Sequence, residues 1–209
     1  MTAAATGRGR IDKRRAILES ALTVFAHRGY AQACVQEIAD AAGVAKHTVY
    51  NHLSDKETLL RHAVEAAADT VGAECLGAIA GLRDLDGNPE AALRDSALQL
   101  LKVCHGDRAR ALRTLTFAQV GTFPDLAETA QDRTSRMLAE TLADRLARLT
   151  LAGHLHTREP GIAAEQLLAL LTGPLEARTR LGTRETTNAE LTAIADAAVD
   201  TFLAAYAPR

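Results

Sequence analysis

Ile38-Ala39-Asp40-Ala41-Ala42-Gly43-Val44-Ala45-Lys46-His47-Thr48-Val49-Tyr50 has the spacing of two short helices meeting at a tight corner. Ala39 is small where the helices must cross, Gly43 supplies a left-handed turn, and Val44 and Val49 are placed to pin the second helix onto the first. A glycine-centred corner of this kind also occurs in many helical bundles. What directs this one toward DNA is its polar cover, because Lys46, His47, Thr48, Tyr50, Asn51 and His52 crowd a helix of about two turns.

The flanking sequence extends the helical pattern in both directions. Residues 13–28 place Ile17, Ala21, Val24 and Phe25 at helical spacing, with Gly29 as a stop. Helices are expected over 35–42 and 46–53, and a fourth, started by the side-chain oxygens of Ser54 and Asp55, to about Gly77. Gly81–Pro89 reads as a loop. Helices follow over 90–105 and 107–120, then a long one from Pro124 to Leu151 through Met137, Leu138, Leu142, Leu146 and Leu149. After a polar break at His154–Pro160 come 161–180 and 187–206, separated at Gly182. In the last helix Leu191, Ile194, Ala195, Ala198, Val199, Phe202, Leu203 and Tyr206 form one apolar stripe, suited to packing inward or to pairing two chains.

Composition agrees with an all-α fold. Of 209 residues 47% are hydrophobic, 24% charged and only 3% aromatic, so a β-barrel or sandwich is excluded. No apolar run approaches a membrane span and the first residues lack the apolar centre of a secretory signal, so a cytoplasmic protein is expected. The chain's net charge of −2 conceals an asymmetry: residues 1–60 hold eight Lys and Arg against six Asp and Glu, a net of +2, which leaves −4 for the rest. The basic excess is concentrated in an N-terminal arm, at Arg8, Arg10, Lys13, Arg14 and Arg15.

From Arg14 to Leu60 the sequence resembles the TetR family of bacterial transcription regulators. The residues that carry the resemblance are Ala16-Ile17-Leu18-Glu19, Phe25, Arg28-Gly29-Tyr30, Glu37-Ile38-Ala39, Ala42-Gly43-Val44, Thr48-Val49-Tyr50, His52-Leu53 and Lys56-Glu57-Thr58-Leu59-Leu60. Farther on, Phe123-Pro124-Asp125-Leu126 and Gly173-Pro174-Leu175 are family-like fragments. The resemblance implies an N-terminal three-helix helix-turn-helix head over 1–54 and a helical effector-binding and dimerisation domain over 55–209. It also implies a homodimer on a palindromic double-stranded operator, and repression relieved by a small molecule. Three departures from the family stand out: Ala33-Cys34 stands for Thr-Ser, Ala45 for the Ser before the recognition helix, and His47 for a small residue. Losing the Ser removes an N-cap worth on the order of 1 kcal/mol.

By position, Lys46, His47 and Asn51 are candidates for base or mixed contacts, since residues near the start of a recognition helix reach base edges. Thr48, Tyr50 and His52 match the family's phosphate-contacting positions, and Lys56 is a further phosphate candidate. The competing readings are a core aromatic for Tyr50 and a capping or packing histidine for His52. The basic arm is either solvated or a contact to an adjacent groove or backbone.

In the C-terminal domain the aromatic count constrains the effector. Phe25, Tyr30 and Tyr50 lie in the head and Phe202 and Tyr206 on the terminal stripe, leaving Phe117 and Phe123 for a pocket. The expectation is an aliphatic or moderately polar effector, not a cation in an aromatic cage, with His62, Cys104, His105, Arg113, Phe117 and Met137 as candidate contacts. Candidates for the dimer interface are Leu168, Leu171, Leu191, Ile194, Ala198 and Phe202. No metal or cofactor is expected: His154-x-His156 and Cys104-His105 lack chelating spacing, and no Gly-rich phosphate loop, GxSxG or HExxH occurs. The alternatives are an effector-independent DNA-binding protein, an activator of the same fold, and a thiol sensor using Cys34, or Cys75 and Cys104, although inert buried cysteines are the commoner case.

Overall fold

The helical periodicities of the sequence are realised almost throughout the computed structural model, which describes residues 3–83, 88–180 and 184–208. In chain order the helices are α1 (Ala3–Arg28), α2 (Val35–Ala41), α3 (Lys46–His52), α4 (Lys56–Ala78), α5 (Pro89–His105), α6 (Asp107–Gln119), α7 (Pro124–Gln131), α8 (Met137–Leu151), α9 (Pro160–Thr179) and α10 (Asn188–Tyr206). A 3-10 turn occupies Ala80–Leu82 and a π-helical turn Asp132–Arg136. The centre of the expected loop at Gly81–Pro89 and the expected break at Gly182 lie outside the described residues. No strand occurs among the described residues, and no described helix is long and apolar enough to cross a membrane.

Two helices depart from the sequence reading. The expected N-terminal arm is helical from Ala3, where Ala3-Ala4-Ala5 favours helix. The single helix expected over Pro124–Leu151 is divided by the π turn. As expected, α9 ends at Arg180, its C-cap, which takes the left-handed region at φ 49°.

The chain forms two compact units. The first comprises Met1–Thr70 with Ala111–Gln131. Its interior is built from Ile17, Ala21 and Phe25 of α1, Ile38 and Ala39 of α2, Val49 of α3, Leu59 and Leu60 of α4, Leu112 and Leu115 of α6 and Leu126 of α7, all buried. Helices α1, α2 and α3 pack on one another.

The second unit comprises Val71–Arg110 with Asp132–Arg209. Here α9 packs on α5, α8 and α10, and α10 also packs on α5. Leu100 and Leu101, Leu142 and Leu146, Leu167 and Leu171, and Ile194 and Phe202 fill the space between them. Arg94 of α5 clamps α10, donating to Asp200 at 2.5 Å and Asp196 at 3.4 Å while bonding to its own helix through Glu90 at 2.7 Å. Gly72 of α4 faces the π turn so closely that a Cβ there would collide with the carbonyl oxygen of Arg133.

Candidate nucleic-acid interface

Backbone geometry makes the α2–α3 corner. Gly43 has φ +64°, a conformation that costs glycine nothing. The N–H groups of Ala42, Gly43 and Val44 donate to the carbonyls of Ile38, Asp40 and Ala39 at 3.0, 3.1 and 3.0 Å. Ile38 and Ala39 are fully buried and Val49 is 1% exposed, so α3 is anchored through one residue. Val44, expected as a second pin, is half-buried and holds the corner chiefly through its backbone.

With Val49 turned inward, the rest of α3 is available to solvent. Lys46, His47, Tyr50 and Asn51 are exposed, and Thr48 and His52 are half-buried. Tyr50 is 45% exposed, which removes the core-aromatic reading. Cys34 and Ala45 take the N-cap positions of α2 and α3 in extended backbone without any side-chain bond, so the missing hydroxyls are not replaced.

The start of α4 is well capped. Asp55 accepts from the Thr58 N–H at 2.7 Å and from the hydroxyls of Ser54 and Thr58 at 3.0 and 3.1 Å. These donors, the Thr58 N–H foremost, hold its carboxyl below the ordinary value. Lys56 has an internal role that the sequence did not reveal, since its Nζ donates to the Ala31 carbonyl at 3.0 Å and lies 4.9 Å from the Tyr30 ring centroid. It braces the α1–α2 connection, and a phosphate would have to share its ammonium.

Behind this surface lies an aromatic cluster. Tyr30 contacts Phe25 at 5.9 Å and Phe123 at 5.1 Å between ring centroids. Arg61 lies 5.4 Å from the Phe123 ring, is 2.9 Å from Glu57, and also pairs with Asp125. Burial, and then the carboxylates of Glu57 and Asp55, raise the Tyr30 phenol above its ordinary value. Phe123, which the sequence left for a ligand pocket, is half-buried and meets Tyr30 and Arg61 within the first unit. Sequence reasoning missed Arg61 and Asp125; the only local signal was the acidic first turn of α7.

The other candidates divide between the units. His62, Arg113 and Phe117 belong to the first; Cys104, His105 and Met137 belong to the second. His62 pairs with Glu65 at 3.3 Å, and Arg113 and His105 are half-buried. Phe117 is 76% and Met137 45% exposed, because α6 and α8 turn Leu112 and Leu115, and Leu138 and Leu142, inward instead. An open cavity of about 450 Å³ in the second unit is lined by Glu74, Lys102, Val103, Gly106, Asp107, Arg108 and Ala109, none of them a predicted contact.

Of the dimer candidates, Leu171, Leu191, Ile194, Ala198 and Phe202 are at most 3% exposed within their own unit, because the α10 stripe packs on α5 and α9. In the single chain these side chains are therefore enclosed by their own helices. Leu168 is half-buried.

Fold and surface together define a helical protein with a helix-turn-helix near its N-terminus. The family described as bacterial regulatory proteins, tetR family, matches residues 17–63, and the C-terminal domain of AefR-like transcriptional repressors matches 91–208. The chain belongs to the TetR family of transcriptional regulators.

A solved structure described as a TetR-family regulator of Mesorhizobium loti MAFF303099 is 30% identical with a TM-score of 0.85, covering 95% of this chain and 98% of its own. The flavonoid-responsive regulator FrrA is 27% identical with a TM-score of 0.72, covering 94% and 98%. Among curated relatives, the repressor AcnR of Corynebacterium efficiens is 32% identical over 90 residues, 41% of this chain and 47% of its own length. The repressor KstR2 of Rhodococcus jostii is 38% identical over 52 residues, 25% of this chain and 26% of its own length. The chain thus spans less than half the length of these curated relatives.

Proposed function

We propose that the chain is a homodimeric, sequence-specific repressor in the cytoplasm, released from a palindromic operator by a small molecule. The observation that carries this reading is the α3 surface: one buried anchor, Val49, beneath a solvent face that holds Lys46, His47, Tyr50 and Asn51. Lys46, His47 and Asn51 read base edges or bridge bases and backbone. Thr48, Tyr50 and His52 grip phosphates, with Lys56 as an auxiliary contact. In this reading residues 1–54 bind DNA and 55–209 hold the effector and the dimer contact. Leu168 supplies surface to that contact, while Leu171, Leu191, Ile194, Ala198 and Phe202 support it from beneath.

The effector is aliphatic or moderately polar, since Phe25, Tyr30 and Phe123 are engaged in ring contacts within the first unit and Phe202 and Tyr206 meet at a tilt with centroids 4.8 Å apart. Release requires that it bind more tightly to a geometry that does not fit DNA. Selection of bound sequences from a random duplex pool tests the reading. The expected product is a palindrome with half-sites about one helical turn apart; recovery without sequence enrichment, or of a single asymmetric site, overturns it.

A further inference from the structure

We infer that Arg145 of α8 is an anion-recognising residue, which seats the carboxylate of an effector whose remainder is aliphatic. The inference rests on the reading that the second unit holds the effector, and it names the polar group that effector carries.

Arg145 stands where α8 otherwise places leucines. Leu138, Leu142 and Leu149 are buried, and Arg145 follows Leu142 by three residues and precedes Leu149 by four, on the face that α8 turns toward its own unit. The other charged residues of the helix, Glu140, Asp144 and Arg148, are exposed. The Arg145 side chain is 17% exposed, and its Nε is enclosed with no hydrogen-bond acceptor among the described residues.

The counter-charge within reach is a poor one. Arg145 Nη1 meets Asp144 Oδ2 at 3.4 Å, and no other described carboxylate lies within ion-pair distance. Asp144 is the adjacent residue, so its carboxylate leaves the helix on a different side and is 50% exposed. The same oxygen accepts from Arg148 Nε at the shorter distance of 2.9 Å.

A guanidinium stays charged throughout the range in which proteins fold, so Arg145 cannot relieve its burial by releasing a proton. An enclosed charge is costly unless it is paired and hydrogen-bonded. A carboxylate supplies both, since its two oxygens match the parallel N–H donors of the fork. The leucines on the same stripe select an aliphatic remainder. Because Nε is enclosed in the ligand-free packing, pairing it requires α8 to shift, and the carboxylate therefore binds more tightly to the shifted geometry. That difference in affinity is what release from an operator demands.

The test uses the full chain without DNA. Thermal unfolding and binding are measured with butyrate, hexanoate, octanoate and decanoate, each beside the alcohol of the same chain length. At least one carboxylate is expected to raise the wild-type midpoint by several degrees, and its alcohol by much less. Arg145→Met keeps most of the bulk and removes the charge. It is expected to melt above the wild type in the absence of ligand, and to bind that carboxylate about ten- to a hundredfold more weakly with alcohol binding unchanged. The proposal is overturned if no carboxylate outperforms its alcohol on the wild type, or if the variant binds it equally well. A variant that sediments as a monomer where the wild type is a dimer overturns it too, because the guanidinium then pairs with a second copy. The wild-type comparison needs no variant to fold. With no operator present, failure here leaves the repressor reading intact, whereas a carboxylate that binds through Arg145 without releasing the selected operator supports the site and overturns the release reading.

Discussion

The ring of Phe123 meets that of Tyr30 edge-on, with centroids 5.1 Å apart and planes at 87°. Tyr30 follows the first helix and Phe123 precedes α7, so this contact ties the connection between α6 and α7 to the helix-turn-helix. Arg61 reinforces it from α4, bonding to Asp125 and covering the Phe123 ring. An edge-to-face pair contributes about 0.5–1.5 kcal/mol beyond the area it buries.

Phe123→Ala is therefore expected to lower the unfolding free energy by about 1–3 kcal/mol, and Phe123→Leu by less. Urea unfolding of the ligand-free protein measures it. Had Phe123 served only to line an effector pocket, neither change would move the midpoint.

On the outward side of the same unit, Lys46→Ala is expected to weaken binding to the selected operator and to reduce the salt-dependence slope by about 1. Tyr50→Phe, which removes only a hydroxyl, should weaken it by about tenfold if that hydroxyl bonds to a phosphate. Fluorescence anisotropy over a range of salt concentrations distinguishes the two. Unchanged affinity in both variants would remove α3 from the interface.

Two glycines of α4 make a matched pair for substitution. A Cβ at Gly72 would collide with the carbonyl oxygen of Arg133, whereas one at Gly77 meets nothing within 4 Å. Gly72→Ala must displace backbone and is expected to cost about 1–3 kcal/mol. Gly77→Ala should be neutral or stabilising by up to about 1 kcal/mol, because alanine is the better helix former. Thermal unfolding of both variants checks the contrast.

The start of α10 predicts an acid dependence. Thr187 and Glu190 form a reciprocal capping box, with the Thr187 N–H donating to Glu190 at 2.9 Å and the Glu190 N–H donating to Thr187 Oγ1 at 3.2 Å. That backbone donor, and then the Arg184 guanidinium, hold the Glu190 carboxyl at about 2 against an ordinary 4.5. A depressed carboxyl adds stability above its unfolded value and loses it as pH falls toward its folded one. Wild type should therefore exceed Glu190→Gln in urea midpoint at neutral pH, with the gap closing between pH 4.5 and about 2. A gap that persists at the acid end would show that the carboxylate's charge is not its source.

The helix-turn-helix was legible because it is local. Ala39, Gly43 and Val49 act within one short stretch, so turn chemistry and spacing suffice to place α2, α3 and the exposed residues between them. The capping function of Asp55 was readable for the same reason. Lys56 was not: its partners, Ala31 and Tyr30, lie across a turn and a helix.

Sequence alone determined the all-α class, most helix boundaries, the charge asymmetry and the α3 surface, since each follows from periodicity, propensity or composition within a few turns. Tertiary structure decided which surfaces those helices spend on one another. Only there does the α10 stripe turn inward, Phe123 meet Tyr30, and the π turn settle against Gly72. Periodicity shows that a helix has an apolar face. What covers that face depends on residues distant in the chain, which a single sequence does not pair.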